Sequence, residues 1–261
     1  MNELQALGLY GTGNPFSGAL ARSASNYSAF VDGELVRLLD WKRPSARARL
    51  AHEAFRAFVG HAQYPCLGAK AALNRDHYRI ATYGSLGSHS ASAGLARDLC
   101  AFVAERPLME TGFATFFAVF DDIALIDERE FEKRLWEQLR QLHELDAEHF
   151  EYAENVSRDP GDARFAFSFA QTPFFVVGMH PGSSRLARRF PSPALAFNAH
   201  AQFDALRAKG LYDRFCAKIR TREKVLQGSL NPNLAAFGER SEARQYAGRA
   251  VEDSWECPFP H

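Results

Sequence analysis

The sequence predicts a single domain of the α+β class, with a central, largely antiparallel sheet flanked by helices. Segments with helical hydrophobic periodicity are interleaved with short apolar segments rich in aromatic and β-branched residues, without the regular strand–helix–strand order of a parallel sheet. The chain has 261 residues, of which 46% are hydrophobic and 24% are charged, as is typical of a globular protein. At this size folding removes roughly 70–75% of the unfolded chain's accessible surface, so we expect a sizeable core.

The predicted elements begin at residue 45. A helix over residues 45–59 has an apolar face, and residues 95–105 form a second helix that ends before Pro107. The most regular helix covers residues 127–146, where four apolar residues recur at helical spacing: Phe131, Leu135, Leu139 and Leu142. The predicted strands are residues 77–83, 113–119, 164–170, 172–179 and 194–197.

The first 30 residues are rich in Gly, Ser, Ala and Asn, which predicts an irregular arm before a domain over residues 31–261. The chain start lacks the basic and apolar regions of a signal peptide, and no stretch approaches the ~20 apolar residues of a membrane span. The cysteines are far apart, without metal-like spacing: Cys66, Cys100, Cys216 and Cys257. We therefore expect reduced thiols and a cytoplasmic protein.

The charge balance argues against a general polyanion partner. The sequence contains 31 Lys and Arg residues and 31 Asp and Glu residues, so its formal net charge is zero. A protein without excess positive charge has no long-range field to attract nucleic acid or an anionic membrane. We expect neither partner, and any site for a polyanion must be local.

The densest group of chemically capable residues follows the predicted strand 172–179. His180 stands at its end, and beyond a Pro-Gly turn Ser184 is followed by three arginines: Arg185, Arg188 and Arg189. Guanidinium groups bind carboxylate or phosphate oxygens with two parallel hydrogen bonds. The segment is either an anion site beside a metal-binding histidine or a strand-end histidine before a solvated basic helix.

A second histidine follows the next predicted strand. His200 comes directly after an apolar strand, and Asp204 stands one helical turn later. If the two strand ends converge, His180, His200 and Asp204 form a two-histidine, one-carboxylate site for non-haem iron. A haem accounts for more features together, because it needs an axial ligand, an apolar slot and cations for its propionates. The 22 phenylalanines then line either a core or a cavity for a flat ligand.

Two further segments remain open to interpretation. Cys66 is followed by Leu-Gly, like the end of a thiolate-ligand loop, but Val59 and Ala62 occupy positions where that loop requires Phe and Gly. We interpret Cys66 as a buried structural thiol. The tract over residues 226–248 is rich in Gly, Asn and polar residues, among them Glu242, and forms either a solvated loop or the polar wall of a pocket.

Five motifs together resemble the YqcI/YcgG family. They are residues 64–70, 174–181, 183–190, 197–203 and 227–255, and the resemblance extends over about residues 55–259. The sequence departs from the family pattern at Ala199, where proline is expected, and at Asn233, where methionine is expected. Similar members include haem-dependent N-oxygenases, such as a guanitoxin-pathway hydroxylase.

The resemblance implies an enzyme with haem b that uses O2 and external electrons to N-hydroxylate a guanidino or amino compound. Within that scheme we expect His180 to be the axial iron ligand, because its strand is the most apolar and the arginines follow it at once. His200 then lines the pocket; the reverse order of the two histidines and Cys66 as the ligand stay open. Glu242, in the polar tract, is our candidate for binding the substrate cation. The implied cofactor-binding residues are His180, Ser184, Arg185, Arg188 and Arg189. The sequence contains no flavin or nicotinamide fingerprint. A reductase or ferredoxin is therefore the expected electron donor, and a homodimer remains open.

Three alternatives remain. The first is a haem carrier or sensor without turnover, which would use the same histidine and arginines. The second is the non-haem iron oxygenase with His180, His200 and Asp204 as ligands. The third is a phosphate- or nucleic-acid-binding module on residues 183–189, which predicts binding that weakens steeply with salt.

Overall fold

A seven-stranded sheet runs through the computed structural model, which describes residues 13–109, 112–121, 127–235 and 238–260. The strand order is β2-β1-β3-β4-β7-β6-β5. Only β3 and β4 pair in parallel among the strands of the described residues. The strands are β1 Ser28–Val31, β2 Glu34–Arg37, β3 Tyr78–Tyr83, β4 Thr115–Phe120, β5 Phe167–Phe169, β6 Thr172–Met179 and β7 Ala194–Ala199. The predicted α+β class with a largely antiparallel sheet is confirmed.

Eight α-helices surround this sheet in the part of the chain that the structure describes. They are α1 Ala19–Ala24, α2 Ala46–Gly60, α3 Leu67–Asn74, α4 His89–Glu105, α5 Glu128–Ala147, α6 Ala201–Ala208, α7 Tyr212–Gln227 and α8 Ala243–Tyr246. The three helices predicted from periodicity correspond to α2, α4 and α5.

Side-chain caps explain where the long helices begin. Ser45 accepts a hydrogen bond from the backbone N–H of Ala48, and Asp127 accepts one from that of Glu130, as preferred N-cap residues do. Ser88 does the same for α4, which therefore begins six residues before the predicted start at residue 95. The prediction missed this first part because its small and polar residues carry no apolar periodicity.

The prediction of an irregular arm over residues 1–30 is wrong for its described part. Helix α1 and strand β1 lie within it, and β1 pairs with both β2 and β3. The backbone N–H of Asn26 donates to Asp98 at 3.0 Å, and the Tyr27 hydroxyl donates to Glu105 at 2.6 Å. These bonds fasten the segment to α4. Residues 1–12 lie outside the described residues.

The two faces of the sheet are covered by different helices. On the closed face, α4 and α5 pack against side chains such as Phe116 and Phe120 of β4. On the open face, α2 and α3 pack against Phe117 and Val119 of the same strand. Residues that alternate along one strand therefore serve two separate cores.

Helices α6 and α7 cover the rest of the open face only loosely. Neither helix has a buried residue in the described chain. Phe175 and Val177 of β6 point toward this face and are half-buried, whereas their neighbours Phe174 and Val176 are fully buried on the closed face. The sheet is therefore covered less tightly by α6 and α7 than by α4 and α5.

No helix formed by the described residues is long and apolar enough to cross a membrane.

Candidate functional site

The two strand-end histidines lie at opposite ends of the β6–β7 pair. This pair is antiparallel, with Phe174 opposite Ala199 and Met179 opposite Ala194. His180 follows one end and His200 the other, so roughly 20 Å of strand separates them. The prediction that they converge on one ligand is therefore wrong, because consecutive antiparallel strands end at opposite edges.

The proposed iron ligands His180, His200 and Asp204 are consequently not brought together. Asp204 is exposed and forms an ion pair with Arg207 at 2.5 Å. Within the described residues, no group of three or more His, Cys, Asp and Glu side chains has the proximity required to hold a metal ion.

His180 lies in the core of the closed face. Its ring stacks on Phe131 of α5, with ring centroids 4.3 Å apart and planes 19° from parallel, and the residue is 1% exposed. A porphyrin iron at either ring nitrogen would have to displace core side chains. This position does not fit the predicted role of axial ligand.

Arg185 and Arg189 are held by groups of the protein itself. Arg185 forms an ion pair with Glu223 of α7 at 2.6 Å and donates to the Ser229 carbonyl oxygen at 2.7 Å. Arg189 donates from Nε to the Ser183 carbonyl oxygen at 2.9 Å. Arg185 thus links the turn after β6 to α7.

Ser184 is bonded to α5 rather than to the groups that hold the arginines. Its hydroxyl and its backbone N–H both donate to Glu128 at the start of α5, at 2.7 and 2.9 Å. The basic helix expected after it is a single 3-10 turn, Leu186–Arg188. The four predicted cofactor-binding residues after His180 therefore do not converge on one point.

Arg188 reaches from this turn across the edge of β6. Its Nη1 donates to the carbonyl oxygens of Gly178 and Tyr246, at 3.2 and 2.8 Å. Burial lowers the pKa of Arg188 to about 10, and its charge acts on Tyr64 and Cys66. The Arg188 cation therefore acts on the thiol at the start of α3.

Cys66 is the N-cap residue of α3. Its Sγ accepts a hydrogen bond from the backbone N–H of Ala69 at 3.4 Å, and the N–H of Gly68 also acts on it. Burial raises the pKa of the thiol, while these two N–H groups and Arg188 act to lower it. The residue is half-buried and packs at the edge of the open-face core. The thiol predicted to be buried and structural thus keeps some exposed surface, and its hydrogen bond caps α3.

Three polar side chains lie in a row at the C-terminal end of β7, where His200 follows the strand. His200 Nε2 lies 3.1 Å from Oε1 of Glu242, and the Tyr246 hydroxyl lies 2.6 Å from the same oxygen. The phenol oxygen accepts the backbone N–H of Phe167 at 3.1 Å. Burial, followed by the Glu242 charge, raises the pKa of Tyr246 well above its usual value. Glu242 thus couples a histidine to a protonated phenol.

Helices α6 and α7 bring further groups to this end. Phe203 of α6 packs edge-on against both His200 and Phe175. Tyr212 of α7 is hydrogen-bonded to Cys216, and burial, followed by interactions with Cys216, raises the pKa of Tyr212 to about 12. The wall above the sheet is therefore aromatic, with polar groups at its rim.

The structure unites the predicted pair His200 and Glu242 and adds Tyr246, which sequence reasoning missed. Tyr246 stands four residues after Glu242, so both side chains share one face of a helical turn. That spacing is the signal that could have identified it. The expected methionine position, Asn233, proves structural: its side chain bonds the backbone of Arg249 and Val251.

Comparisons with known proteins agree with these motifs. The family model described as "YqcI/YcgG family" matches residues 55–260. The protein named "Uncharacterized protein YcgG" of Bacillus subtilis (strain 168) is 28% identical over 209 residues, covering 76% of this chain and 81% of that protein. No solved structure matches the chain.

Proposed function

Starting from the fact that the chain belongs to the YqcI/YcgG family, we propose that it is a haem-dependent oxygenase. It N-hydroxylates a guanidino- or amino-containing small molecule with O2 and electrons from an external reductase or ferredoxin. The observation that carries the proposal is Cys66, a half-buried thiol at the start of α3 on which the Arg188 cation acts.

Cys66 fits the role of axial ligand better than either histidine. Thiolates ligate haem iron in oxygenases that activate O2, and N–H donors at a helix N-terminus stabilise the sulfur's negative charge. His180 is packed on Phe131, and His200 bonds Glu242. The thiol loses its proton when it binds a metal ion, and the Arg188 cation offsets part of the new negative charge.

The remaining residues of the open face suit a flat apolar cofactor. Phe175 and Val177 are half-buried on β6, and Phe58 of α2 packs edge-on against Tyr64, two residues before the thiol. Bound haem supplies the activation of O2 for insertion into an N–H bond. The aromatic walls exclude water from that chemistry.

The chain's own polar groups orient the substrate. Glu242 carries a carboxylate that is held by His200 and Tyr246, beside Phe203 and Phe175 at the end of β7. A carboxylate oxygen binds a guanidinium ion with a charge-assisted hydrogen bond. Because Tyr246 and His200 both approach Oε1, we assign the substrate cation to Oε2.

Hemin titration followed by optical spectroscopy tests the cofactor and its ligand. We expect a Soret band for the wild type and, after reduction under CO, the red-shifted band of thiolate ligation. Cys66→Ser should lose that band, whereas the matched variant Cys216→Ser and His180→Ala should retain it. A wild type that stays colourless refutes the proposal, and an unchanged spectrum of Cys66→Ser refutes the ligand assignment.

Turnover separates an oxygenase from a carrier. The haem-loaded protein with a reductase system should convert an arginine-like or amino compound into an N-hydroxylated product, detected by mass spectrometry. Glu242→Gln should raise KM for a guanidino substrate, because the neutral amide no longer pairs with the cation. Stable haem binding with no hydroxylated product from a panel of guanidino and amino compounds would favour the carrier.

A further inference from the structure

Three redox-active aromatic rings form a continuous row from the candidate site to the surface. Tyr246 stacks on Trp136 of α5, with ring centroids 5.7 Å apart and planes 21° from parallel. Trp136 in turn lies 6.2 Å from Trp255, centroid to centroid. These rings are in near van der Waals contact, a separation at which electrons tunnel rapidly between aromatic groups.

The outer end of the row opens on a surface cleft of about 670 Å³. Trp255 is half-buried and lines this cleft together with three carboxylates: Glu239, Asp253 and Glu256. Arg244 fastens Trp255 by donating to its carbonyl oxygen at 3.2 Å. A small soluble reductant can therefore reach the indole, whereas Trp136 is 2% exposed and Tyr246 is fully buried.

Tyr246, at the inner end of the row, has a proton acceptor, whereas Trp136, in the middle, has none among the described residues. The Tyr246 hydroxyl lies 2.6 Å from the Glu242 carboxylate, so the phenol can give up its proton when it loses an electron. The indole N–H of Trp136 is buried, and none of the described residues accepts a hydrogen bond from it. An oxidised Trp136 therefore keeps its proton and its positive charge, and it readily takes an electron from a neighbour.

We propose that Tyr246, Trp136 and Trp255 conduct oxidising equivalents from the site to the surface. A one-electron oxidant at the site, of the high-potential haem-iron class that the proposed function supplies, is reduced by one electron from Tyr246, whose proton passes to Glu242. Trp136 then reduces the tyrosyl radical, and the proton returns from Glu242. Trp255 reduces Trp136, and a one-electron reductant in the cleft, of the ascorbate or thiol class, restores Trp255. Its protective purpose rests on the proposed oxygenase, but the conduction itself does not require haem.

The experiment therefore uses the haem-free protein. Of the three tryptophans, Trp41 is 53% exposed and outside the row, so all proteins carry Trp41→Phe. A flash-generated tris(bipyridine)ruthenium(III) ion oxidises the accessible tryptophan. Transient absorption and freeze-quench electron paramagnetic resonance then distinguish tryptophan from tyrosine radicals. The row conducts in both directions, so without a reductant in the cleft we expect the tryptophan signal to convert into a tyrosyl signal at a rate independent of protein concentration. Ascorbate added afterwards should remove the tyrosyl signal by way of Trp136 and Trp255, which is the direction proposed.

Tyr246→Phe should abolish the tyrosyl signal, and Trp136→Phe should abolish the concentration-independent phase. Glu242→Gln keeps the shape of the side chain and should slow tyrosyl formation, because the carboxylate that takes the proton is gone. Tyr152→Phe is the matched control, a half-buried tyrosine bonded to the Ala166 carbonyl oxygen outside the row, and should change nothing. Circular dichroism confirms that each variant is folded.

An unchanged tyrosyl signal in both Tyr246→Phe and Glu242→Gln overturns the proposal, as does an intact concentration-independent phase in Trp136→Phe. Neither result affects hemin binding, which the Soret band reports separately. Conversely, a wild type that never binds hemin leaves the radical transfer measurable and removes only its protective purpose.

Discussion

The closed and open faces of the sheet use the same strands in different ways. On the closed face, α4 and α5 pack in a core in which Phe174, Val176 and Phe197 have no exposed surface. On the open face, α6 and α7 contribute no buried residue, and Phe175 and Val177 stay half-buried. The closed face contributes stability through tight packing, whereas the open face is packed less tightly and carries polar groups.

The polar groups follow the same division. His180 lies on the closed face and is packed as a core residue, while Cys66 and His200 adjoin the loosely covered part of the open face. A histidine at a strand end is thus not a site in itself. What makes a site is the room that the covering helices leave beside it.

The neighbours Phe174 and Phe175 give the sharpest test of this comparison. Truncation of a fully buried Phe to Ala removes about 3–5 kcal/mol from the free energy of unfolding, and we expect that loss for Phe174→Ala. Phe175→Ala should lose less, because part of its side chain is already exposed, and should also weaken hemin binding. Urea unfolding measures both. Equal losses would show that the open face is as tightly packed as the closed one.

The ionisation of Asp146 tests how well the closed face tolerates a buried charge. Its carboxylate is buried and accepts the backbone N–H of Ala170 at 2.8 Å, and burial raises its pKa to about 7. In the unfolded chain the pKa of this carboxyl is about 3.9. The contribution of protonated Asp146 to the free energy of unfolding is therefore fully present below about pH 4 and is lost as the pH rises through about 7.

Asp146→Asn keeps the acceptor oxygen but cannot ionise. It should match the wild type near pH 4 and exceed it at pH 8 by on the order of 2 kcal/mol, less than the full shift would give because water reaches the adjoining cleft. Urea unfolding at both pH values measures the difference. Parallel pH curves for the two proteins would contradict a raised pKa.

Arg222 tests the attachment of the loose cover. Its guanidinium donates to the carbonyl oxygens of Ala62 and Tyr64, at 2.7 and 2.9 Å, and so ties α7 to the segment before Cys66. Arg222→Ala should lower the free energy of unfolding by only about 1–3 kcal/mol but accelerate amide hydrogen exchange throughout α7. The exposed Arg214 of the same helix is the control, and equal exchange in both variants would show that α7 is held by other contacts.

Sequence patterns predicted the fold where hydrophobic periodicity and caps coincide. Asp127 and the four apolar residues of α5 marked both the helix and its buried face. The segment before residue 31 escaped prediction because hydrogen bonds from Ser25, Asn26 and Tyr27 to α4, rather than an apolar pattern, hold it in place. Such long-range polar contacts leave no local signal.

The turn between β5 and β6 shows the same limit. Ala170 and Gln171 both have positive φ, at 45° and 56°, a conformation that usually requires Gly or Asn. The short turn was expected, but these residue types give no sign of its shape. The Asp146 bond to the Ala170 N–H helps to hold it.

The candidate site was predicted in part. His200 and Glu242 were both chosen and do lie together, but the direction of β6 and β7 separates His180 from them. The predicted antiparallel sheet already implied this separation, since adjacent strands connected in sequence end at opposite edges. The sequence did not favour Cys66 as the proposed axial ligand, because that choice depends on Arg188, which approaches the thiol from a turn far along the chain.

The pairing of β1 with β3 matters for the design of a shorter fragment that contains only the family match, residues 55–260. The family match starts at residue 55, after β1 and β2, so a fragment cut at that boundary would leave the amide and carbonyl groups along β3 without a neighbour. It would also remove the Ser25 hydroxyl and the Asn26 backbone N–H, which donate hydrogen bonds to the buried Asp98 carboxyl. Bare strand edges recruit other chains, and we expect such a fragment to precipitate.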